Sequence, residues 1–302
     1  MVRISVIFFS ISGKKSLCEI CTEHPRYHEW FGDWKESGLG LCCEAAGQLI
    51  FSQTGPAAFE TVEIEEEAGD KVDEEAFSAL FIARETAFSL VQNRQLSFGR
   101  RMSLLLCYGR ELQYALEQED WCQIKSIASA FEEPDFLKQT TFPQSFPDRS
   151  AMDKTLSFFS LLEPIDPQWP GLLLRIRKQL PEILDSHQKR LRQYGPWERE
   201  LEHLTVTFLF RYFCKALFDG DIYGKTAFTV LSCCLVSLLD GEVFLRTGSY
   251  SLEDRIFTAK QYSKEIEYCT DNLDALWEAF WSKDFLSSAQ IMNMIRLLFV
   301  RF

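Results

Sequence analysis

Residues 226–239 carry no charged side chain and form the longest strongly apolar segment of the chain. A helix that is apolar on all sides has to be enclosed by other elements of the protein. A membrane-spanning helix needs about 20 such residues, so this segment is too short to cross a bilayer. We therefore expect a buried helix here, and no interaction with a membrane.

Apolar residues recur at helical spacing on both sides of a proline-rich connection. Before the connection they form two runs, separated by a break at residues 92–100. The members of these runs are Phe77, Leu80, Phe81, Phe88 and Val91, followed by Leu104, Leu105, Tyr108, Leu112 and Leu116. Six prolines then cluster between Pro134 and Pro170. Because proline is excluded from a helix interior, this span predicts a long connection.

After the connection the same pattern predicts a second helical half. The expected helices lie near residues 171–192, 197–218, 225–239, 252–268 and 273–300. Four glycines, which we expect at helix ends and turns, punctuate this half. They are Gly220, Gly224, Gly241 and Gly248. No strand-like alternation and no solenoid repeat is evident, so the sequence predicts an all-α protein.

The cysteines and histidines separate the beginning of the chain from the rest. Residues 1–55 hold four of the ten cysteines and two of the four histidines. We expect this part to be a short, incomplete cysteine-rich segment that binds a metal or a cluster. Residues 75–302 are expected to form the helical domain, with two halves joined by the proline-rich connection near 134–170.

The negative charge of the chain is concentrated in one segment. The net charge is −12, and nine carboxylates lie between Glu60 and Glu75 with Lys71 as the only base among them. Like charges repel, so we interpret this run as a solvated linker. The most basic stretch, residues 175–192, is interrupted by acidic residues and is interpreted as the solvated face of a helix. The absence of a basic stripe argues against nucleic-acid binding.

The cysteine pattern indicates a reducing compartment rather than a disulfide framework. Five cysteines lie inside apolar, helix-patterned segments, where a thiol behaves as a small apolar group. These are Cys107, Cys214, Cys233, Cys234 and Cys269. The apolar run within residues 1–12 lacks a cleavage site with small residues and leads directly into Lys14 and Lys15. We therefore expect a cytoplasmic protein.

Cys18, Cys21, Cys42 and Cys43 form the most informative motif of the chain. A C-x-x-C pair places two thiolates on one tight turn, which is a common half-site for zinc or an iron–sulfur cluster. Cys42 follows at a separation typical of zinc-ribbon sites, whereas the side chain of its neighbour Cys43 points elsewhere. The alternatives are four unrelated free thiols or a redox-active C-x-x-C pair. His24 and His28 are further candidate ligands or hydrogen-bond donors to the ligands.

The run LCEICTEHPRYHEWFGDWKESGLGLCCEAA resembles the cysteine-rich region of the flagellin lysine-N-methylase family. Similar segments follow at Arg84-Glu-Thr-Ala-Phe, Gln92-Asn-Arg94, Arg211-Tyr-Phe213 and the stretch from Tyr262 to Tyr268. The resemblance implies methylation of flagellin lysines with S-adenosylmethionine as the methyl donor. It also implies an iron–sulfur cluster or zinc held by Cys18, Cys21 and Cys42, with Cys43 beside them.

Members of this family carry further cysteines ahead of the C-x-x-C pair, but only residues 1–16 precede Leu17 and Cys18 here. We therefore expect a chain truncated at its N-terminus, with an incomplete ligand set. The alternative to the enzyme is a non-catalytic helical homologue that binds metal or protein. The residues indicate neither a catalytic group nor the donor pocket, since no glycine-rich turn follows a strand-like segment.

Other motifs have two interpretations. The aromatic residues Tyr27, Trp30, Phe31 and Trp34 could form a cage for a lysine ammonium, but the favoured interpretation is a small core around the metal segment. Glu200-Leu-Glu-His203 is half of a di-iron signature without its second copy, so a metal role is not favoured. His187 is expected at the surface.

Overall fold

The computed structural model describes residues 2–7, 24–142 and 148–300. Over these ranges the protein is mainly helical, and a small sheet joins its N-terminal part to the helices. The helices are α1 (Glu44–Phe51), α2 (Glu74–Val91), α3 (Phe98–Glu117), α4 (Trp121–Ala130), α5 (Pro134–Gln139), α6 (Ser150–Phe159), α7 (Trp169–Lys178), α8 (Leu180–Gln193), α9 (Trp197–Tyr212), α10 (Ala216–Asp219), α11 (Ile222–Thr247), α12 (Leu252–Ile266), α13 (Thr270–Ser282) and α14 (Ser288–Phe299). Short 3₁₀ turns lie at Phe213–Lys215 and Asp284–Leu286.

The sheet contains β1 (Val2–Ile7), β2 (Arg26–Phe31), β3 (Trp34–Leu39) and β4 (Phe59–Ile64). Its spatial order is β2-β3-β1-β4. The strands β2 and β3 form an antiparallel hairpin, β1 runs parallel to β3, and β4 runs antiparallel to β1. Gly32 occupies the hairpin turn with φ +68°, a left-handed conformation that glycine adopts without a steric penalty. The all-α prediction is therefore correct for most of the chain and misses this sheet.

Helix α11 is the buried helix that the apolar segment predicts, and it extends further in both directions than residues 225–239. It packs against α3, α8, α9, α12, α13 and α14. By length and composition it could cross a membrane, but 94% of its most apolar window is buried inside the protein. Its first turn is capped by Asp221, whose carboxylate accepts the Gly224 N–H, and it ends at Gly248 with φ +76°.

Two of the four punctuating glycines are not helix ends. Gly220 and Gly248 are left-handed C-caps as expected, whereas Gly224 and Gly241 lie inside α11. A Cβ added at Gly241 would collide with the Ile183 side chain of α8, which shows that the two helices approach closely there. Close helix packing, rather than a turn, explains this glycine.

Three of the expected helices are divided, and the one expected near 197–218 is interrupted by the 3₁₀ turn at Phe213–Lys215. The helix predicted near 171–192 is interrupted at Gln179, because Pro181 has no N–H and its ring excludes the carbonyl of the preceding turn. The helix predicted over 273–300 is broken between α13 and α14 by residues 283–287. The proline-rich connection is itself partly helical, and Pro134 and Pro170 lie in the first turns of α5 and α7, where proline is tolerated.

The basic segment at residues 175–192 and the acidic segment at residues 60–75 also differ from what the sequence predicts. Arg190 and His187 of α8 are buried, with 0% and 1% exposure, so this face of the helix belongs to the core. His187 Nε2 donates a hydrogen bond to the Leu298 carbonyl at 2.7 Å, and burial beside Arg190 lowers the pKa of His187 to about 3, which leaves the ring neutral. The acidic run begins as strand β4, whose exposed Glu60 and Glu63 protect a sheet edge, and becomes a loop only afterwards.

Candidate functional site

Two of the four predicted metal ligands are placed by the structure. Cys18 and Cys21 lie outside the described residues. Cys42 and Cys43 follow the end of β3, and Cys43 is the N-cap residue of α1. The Sγ atom of Cys42 lies 3.8 Å from Nε2 of the exposed His24. In the described part of the chain no group of three or more His, Cys, Asp or Glu side chains could hold a metal ion.

Cys42 lies at the edge of a polar cluster, the Arg211 cluster, which consists of Tyr27, Arg211, Tyr212, Glu267 and Tyr268. Its partly buried thiol has a raised pKa because of desolvation, and a hydrogen bond with the Tyr268 hydroxyl acts in the opposite direction. The pKa of Tyr268 is raised in turn by burial and by the same thiol, so the phenol stays neutral. The thiol therefore becomes a thiolate at neutral pH only if a cation or a metal binds it.

The Gly38-Leu-Gly40 segment makes room for two tyrosines. A Cβ at Gly38 would overlap the ring of Tyr27, its cross-strand partner, and a Cβ at Gly40 would overlap the Tyr268 hydroxyl. Any larger residue would displace these rings. The two glycines therefore allow close side-chain packing, and the segment is the end of strand β3 with the residue after it rather than a nucleotide-binding turn.

Arg211 of α9 lies at the centre of the polar cluster. Its Nη1 donates to Oε1 of the buried Glu267 at 2.8 Å, and the Tyr212 hydroxyl donates to the same oxygen at 3.1 Å. The guanidinium also lies 4.7 Å from the ring centre of Tyr27 and 5.2 Å from that of Tyr268. Such cation–π contacts hold a desolvated cation between the rings. The cluster thus connects β2, α9 and the end of α12.

A second buried ion pair joins the hairpin to α2. Arg84 and Glu36 are 1% and 2% exposed, and Nη1 donates to Oε2 at 2.6 Å while Nη2 lies 2.6 Å from Oε1. The guanidinium is also surrounded by the rings of Phe81, Phe88 and Phe210, at 5.1–5.4 Å. A bidentate pair of this kind fixes both position and orientation.

Strand β2 is aligned with the end of α9, the 3₁₀ turn that follows it and the short helix α10. Tyr27 contacts Arg211, Glu29 pairs with Lys215, and Phe31 stacks on Phe218 with ring centres 5.5 Å apart. The strand residues alternate by two, as expected for one face of a sheet. Three segments that are far apart in sequence therefore meet in space. They are residues 24–27, 211–213 and 262–268.

The four aromatic residues of the hairpin do not form one cage. Tyr27 belongs to the Arg211 cluster, and Trp30 carries the Lys35 ammonium 4.9 Å above its ring. Phe31 and Trp34 pack against Phe77 and Phe81 of α2 and line a cleft beside the hairpin turn. The core interpretation is therefore correct for Phe31, but the core in question is that of the helical body.

The Glu-x-x-His segment does not bring its two side chains to one site. Glu200 pairs with the buried Arg255 and accepts a hydrogen bond from Tyr194, while His203 Nε2 bonds the Gly55 carbonyl at 2.9 Å. His28 of β2 hydrogen-bonds the hydroxyl of Ser37, its cross-strand partner in β3, at 2.6 Å.

The fold and this site define a mainly helical protein with a small sheet attached to it and two cysteines between the sheet and helix α1. Residues 84–294 match the family model for the C-terminal domain of the FliB lysine N-methylase. The chain belongs to the FliB lysine N-methylase family, as its resemblance implies. No curated protein and no solved structure matches the chain. The match includes Arg211, Glu267 and Tyr268, whereas Cys42 and Tyr27 precede it.

Proposed function

We propose that this protein is a lysine N-methyltransferase that acts on flagellin in the cytoplasm and uses S-adenosylmethionine as methyl donor. The observation that carries the proposal is the family match over residues 84–294. Two contacts support the proposal: Arg211 lies against the Tyr27 ring, and the Tyr268 hydroxyl hydrogen-bonds the Cys42 thiol. They connect the matched region to the cysteine-rich segment, which resembles the same family.

The negative charge of the segment from Glu60 to Glu75 supports a protein substrate that presents lysine side chains. All nine carboxylates from Glu60 to Glu75 are exposed, and they attract a cationic protein surface. A free lysine side chain has a pKa of about 10.4 and must lose a proton before its nitrogen can attack. Transfer then requires the amine and the donor methyl group to be held about 3–3.5 Å apart.

We further propose that Cys18, Cys21 and Cys42, with Cys43 in a secondary role, hold an iron–sulfur cluster or zinc. Thiolates suit either group. A sulfur and an imidazole nitrogen on one zinc ion lie about 3.6 Å apart, given bond lengths of about 2.3 Å and 2.1 Å. The 3.8 Å between the Cys42 sulfur and the His24 nitrogen is close to that value, which supports these two residues as neighbouring ligands. The group would supply either a structural centre or redox chemistry.

Incubation with S-adenosylmethionine tests the enzymatic function. Purified flagellin and the full chain should give lysines carrying one or more added methyl groups, detected by mass spectrometry of flagellin peptides. A reaction without the donor and one with heat-denatured chain are the controls. Unmodified flagellin after exhaustive incubation with metal-reconstituted chain would support the non-catalytic homologue instead.

Substitution of single cysteines tests the metal proposal. Cys42→Ser should lower the bound iron or zinc several-fold, because one soft ligand is lost. Cys233→Ser is the matched control, since this thiol is buried in α11 and its pKa is raised by burial to about 12. Metal content is measured by inductively coupled plasma mass spectrometry. Equal metal in both variants would exclude Cys42 as a ligand.

A further inference from the structure

The aromatic cleft, as we call the cavity beside the hairpin turn, has a volume of about 800 Å³. It is bounded by the turn at residues 31–34, by the loop at 68–74 and by the first turns of α2. Cavities that bind cofactors and drug-sized ligands measure roughly 300–1,000 Å³. The aromatic cleft is open to solvent and takes no part in the Arg211 cluster, so it is free to receive a small molecule.

Its floor consists of aromatic rings that hold one another in place. Phe31 stacks on Phe77 with centres 5.0 Å apart, and Phe81 meets Trp34 edge-on at 5.1 Å. These rings are too closely packed to enclose a cation between them. The buried Phe31 ring is covered by Phe77 and Phe218, so the apolar surface available to a planar base is formed by the partly exposed rings of Trp34, Phe77 and Phe81. The buried Trp34 Nε1 has no hydrogen-bond partner among the described residues.

The mouth of the cleft is polar and mostly acidic. Asp33, Glu74 and Lys71 line it and are exposed, and the nine carboxylates from Glu60 to Glu75 lie on the same segment. A carboxylate can accept two hydrogen bonds from the neighbouring hydroxyls of a ribose. A lysine ammonium can pair with the carboxylate of an amino acid.

This charge distribution discriminates among adenosine compounds. Phosphate groups would meet a field of like charge at the mouth, which disfavours adenosine triphosphate and dinucleotides. S-adenosylmethionine carries no phosphate, and its sulfonium cation is attracted by the same carboxylates and by ring faces. Adenine on the aromatic floor and the ribose at Asp33 or Glu74 would leave the methionine carboxylate near Lys71.

We propose that the aromatic cleft binds the adenosyl group and the sulfonium of the methyl donor. The proposal rests on the proposed methyltransferase function. The acceptor amine, after its ammonium proton has passed to water, forms the new N–C bond at the methyl group. The C–S bond breaks with its electron pair going to sulfur. The products are a methylated ammonium and the neutral thioether S-adenosylhomocysteine, so the positive charge moves from sulfur to nitrogen beside the acidic segment.

Filling the cleft from one side tests the proposal without altering its rings. Ser78 is an exposed residue of α2 that lines the cleft, and Ser89 is an exposed serine of the same helix outside it. Ser78→Trp should weaken the binding of S-adenosylhomocysteine to the full chain by about tenfold or more, whereas Ser89→Trp should leave it unchanged. Affinities are measured by isothermal titration calorimetry.

A second variant keeps the test valid if Ser78→Trp does not fold. The double variant Asp33→Asn with Glu74→Gln changes only exposed side chains. Its affinity for S-adenosylhomocysteine should be several-fold lower than that of the wild-type chain. Wild-type affinity in both this variant and Ser78→Trp would place the donor elsewhere and overturn the inference, while flagellin methylation would still stand. An affinity for adenosine triphosphate equal to that for S-adenosylhomocysteine would also overturn it. Failure of the wild-type chain to bind S-adenosylhomocysteine would overturn both the inference and the proposed function, whereas binding without methylation of flagellin would overturn the proposed function alone.

Discussion

Replacing Asp240 with asparagine should lower the free energy of unfolding by about 3–5 kcal/mol. Oδ2 of this residue lies 2.8 Å from Arg255 Nη1 and 3.2 Å from Arg190 Nη1, and all three side chains are fully buried. Its other oxygen accepts hydrogen bonds from the hydroxyls of Tyr250 and Thr258. Removing the negative charge would leave two guanidinium groups close together in the core with Glu200 as the remaining carboxylate.

The measurement is urea unfolding followed by tryptophan fluorescence and circular dichroism. Asp153→Asn is the matched control, because Asp153 likewise pairs with an arginine, Arg177, but both side chains are about 40% exposed. Exposed pairs contribute roughly 0–1 kcal/mol. Equal destabilisation by the two substitutions would show that the Asp240 network does not stabilise the fold.

This network explains why the second helical half has a definite arrangement. Arg190 comes from α8, Asp240 from α11, Glu200 from α9 and Arg255 from α12. An apolar helix such as α11 can be packed in several orientations with similar burial. A buried charge that two other helices must satisfy makes those alternatives costly, since any shift would leave an ion unpaired.

The sequence was sufficient for most helices because helical periodicity is a local signal. It was insufficient for the sheet, although one local signal was available. The residues Phe31-Gly32-Asp33-Trp34 form a two-residue turn flanked by aromatic residues, which is a hairpin pattern. The other pairings could not be found locally, because β1 meets β3 and β4 across large separations in the chain.

The candidate site shows the same limit. The Cys42 motif and the segments around Arg211 and Tyr268 could be recognised from the sequence, but their proximity could not. The Arg211–Glu267 and Arg84–Glu36 pairs join residues 56 and 48 positions apart. No charge pattern identifies such partners, because each charge alone is indistinguishable from a surface residue. The aromatic cleft likewise exists only after the hairpin and α2 have packed together.

Arg84→Met should lower the free energy of unfolding by about 3–5 kcal/mol, because it leaves the Glu36 carboxylate buried without its partner. The double variant Arg84→Met with Glu36→Gln should be less destabilised than this single variant, since the amide carries no charge to desolvate. Lys35→Met is the control, as its partner Glu66 is 44% exposed, and it should cost about 1 kcal/mol or less.

The comparison of single and double variants separates charge from packing. Arg84 also fills the space between Phe81, Phe88 and Phe210, and methionine keeps much of that volume. If Arg84→Met lost stability through packing, adding Glu36→Gln would lower the free energy of unfolding further rather than restore part of it. Chemical unfolding of the four proteins therefore decides the matter, and a double variant less stable than Arg84→Met would refute the electrostatic explanation. Because Phe81 lines the aromatic cleft, recovery of stability in the double variant should be accompanied by recovery of S-adenosylhomocysteine binding.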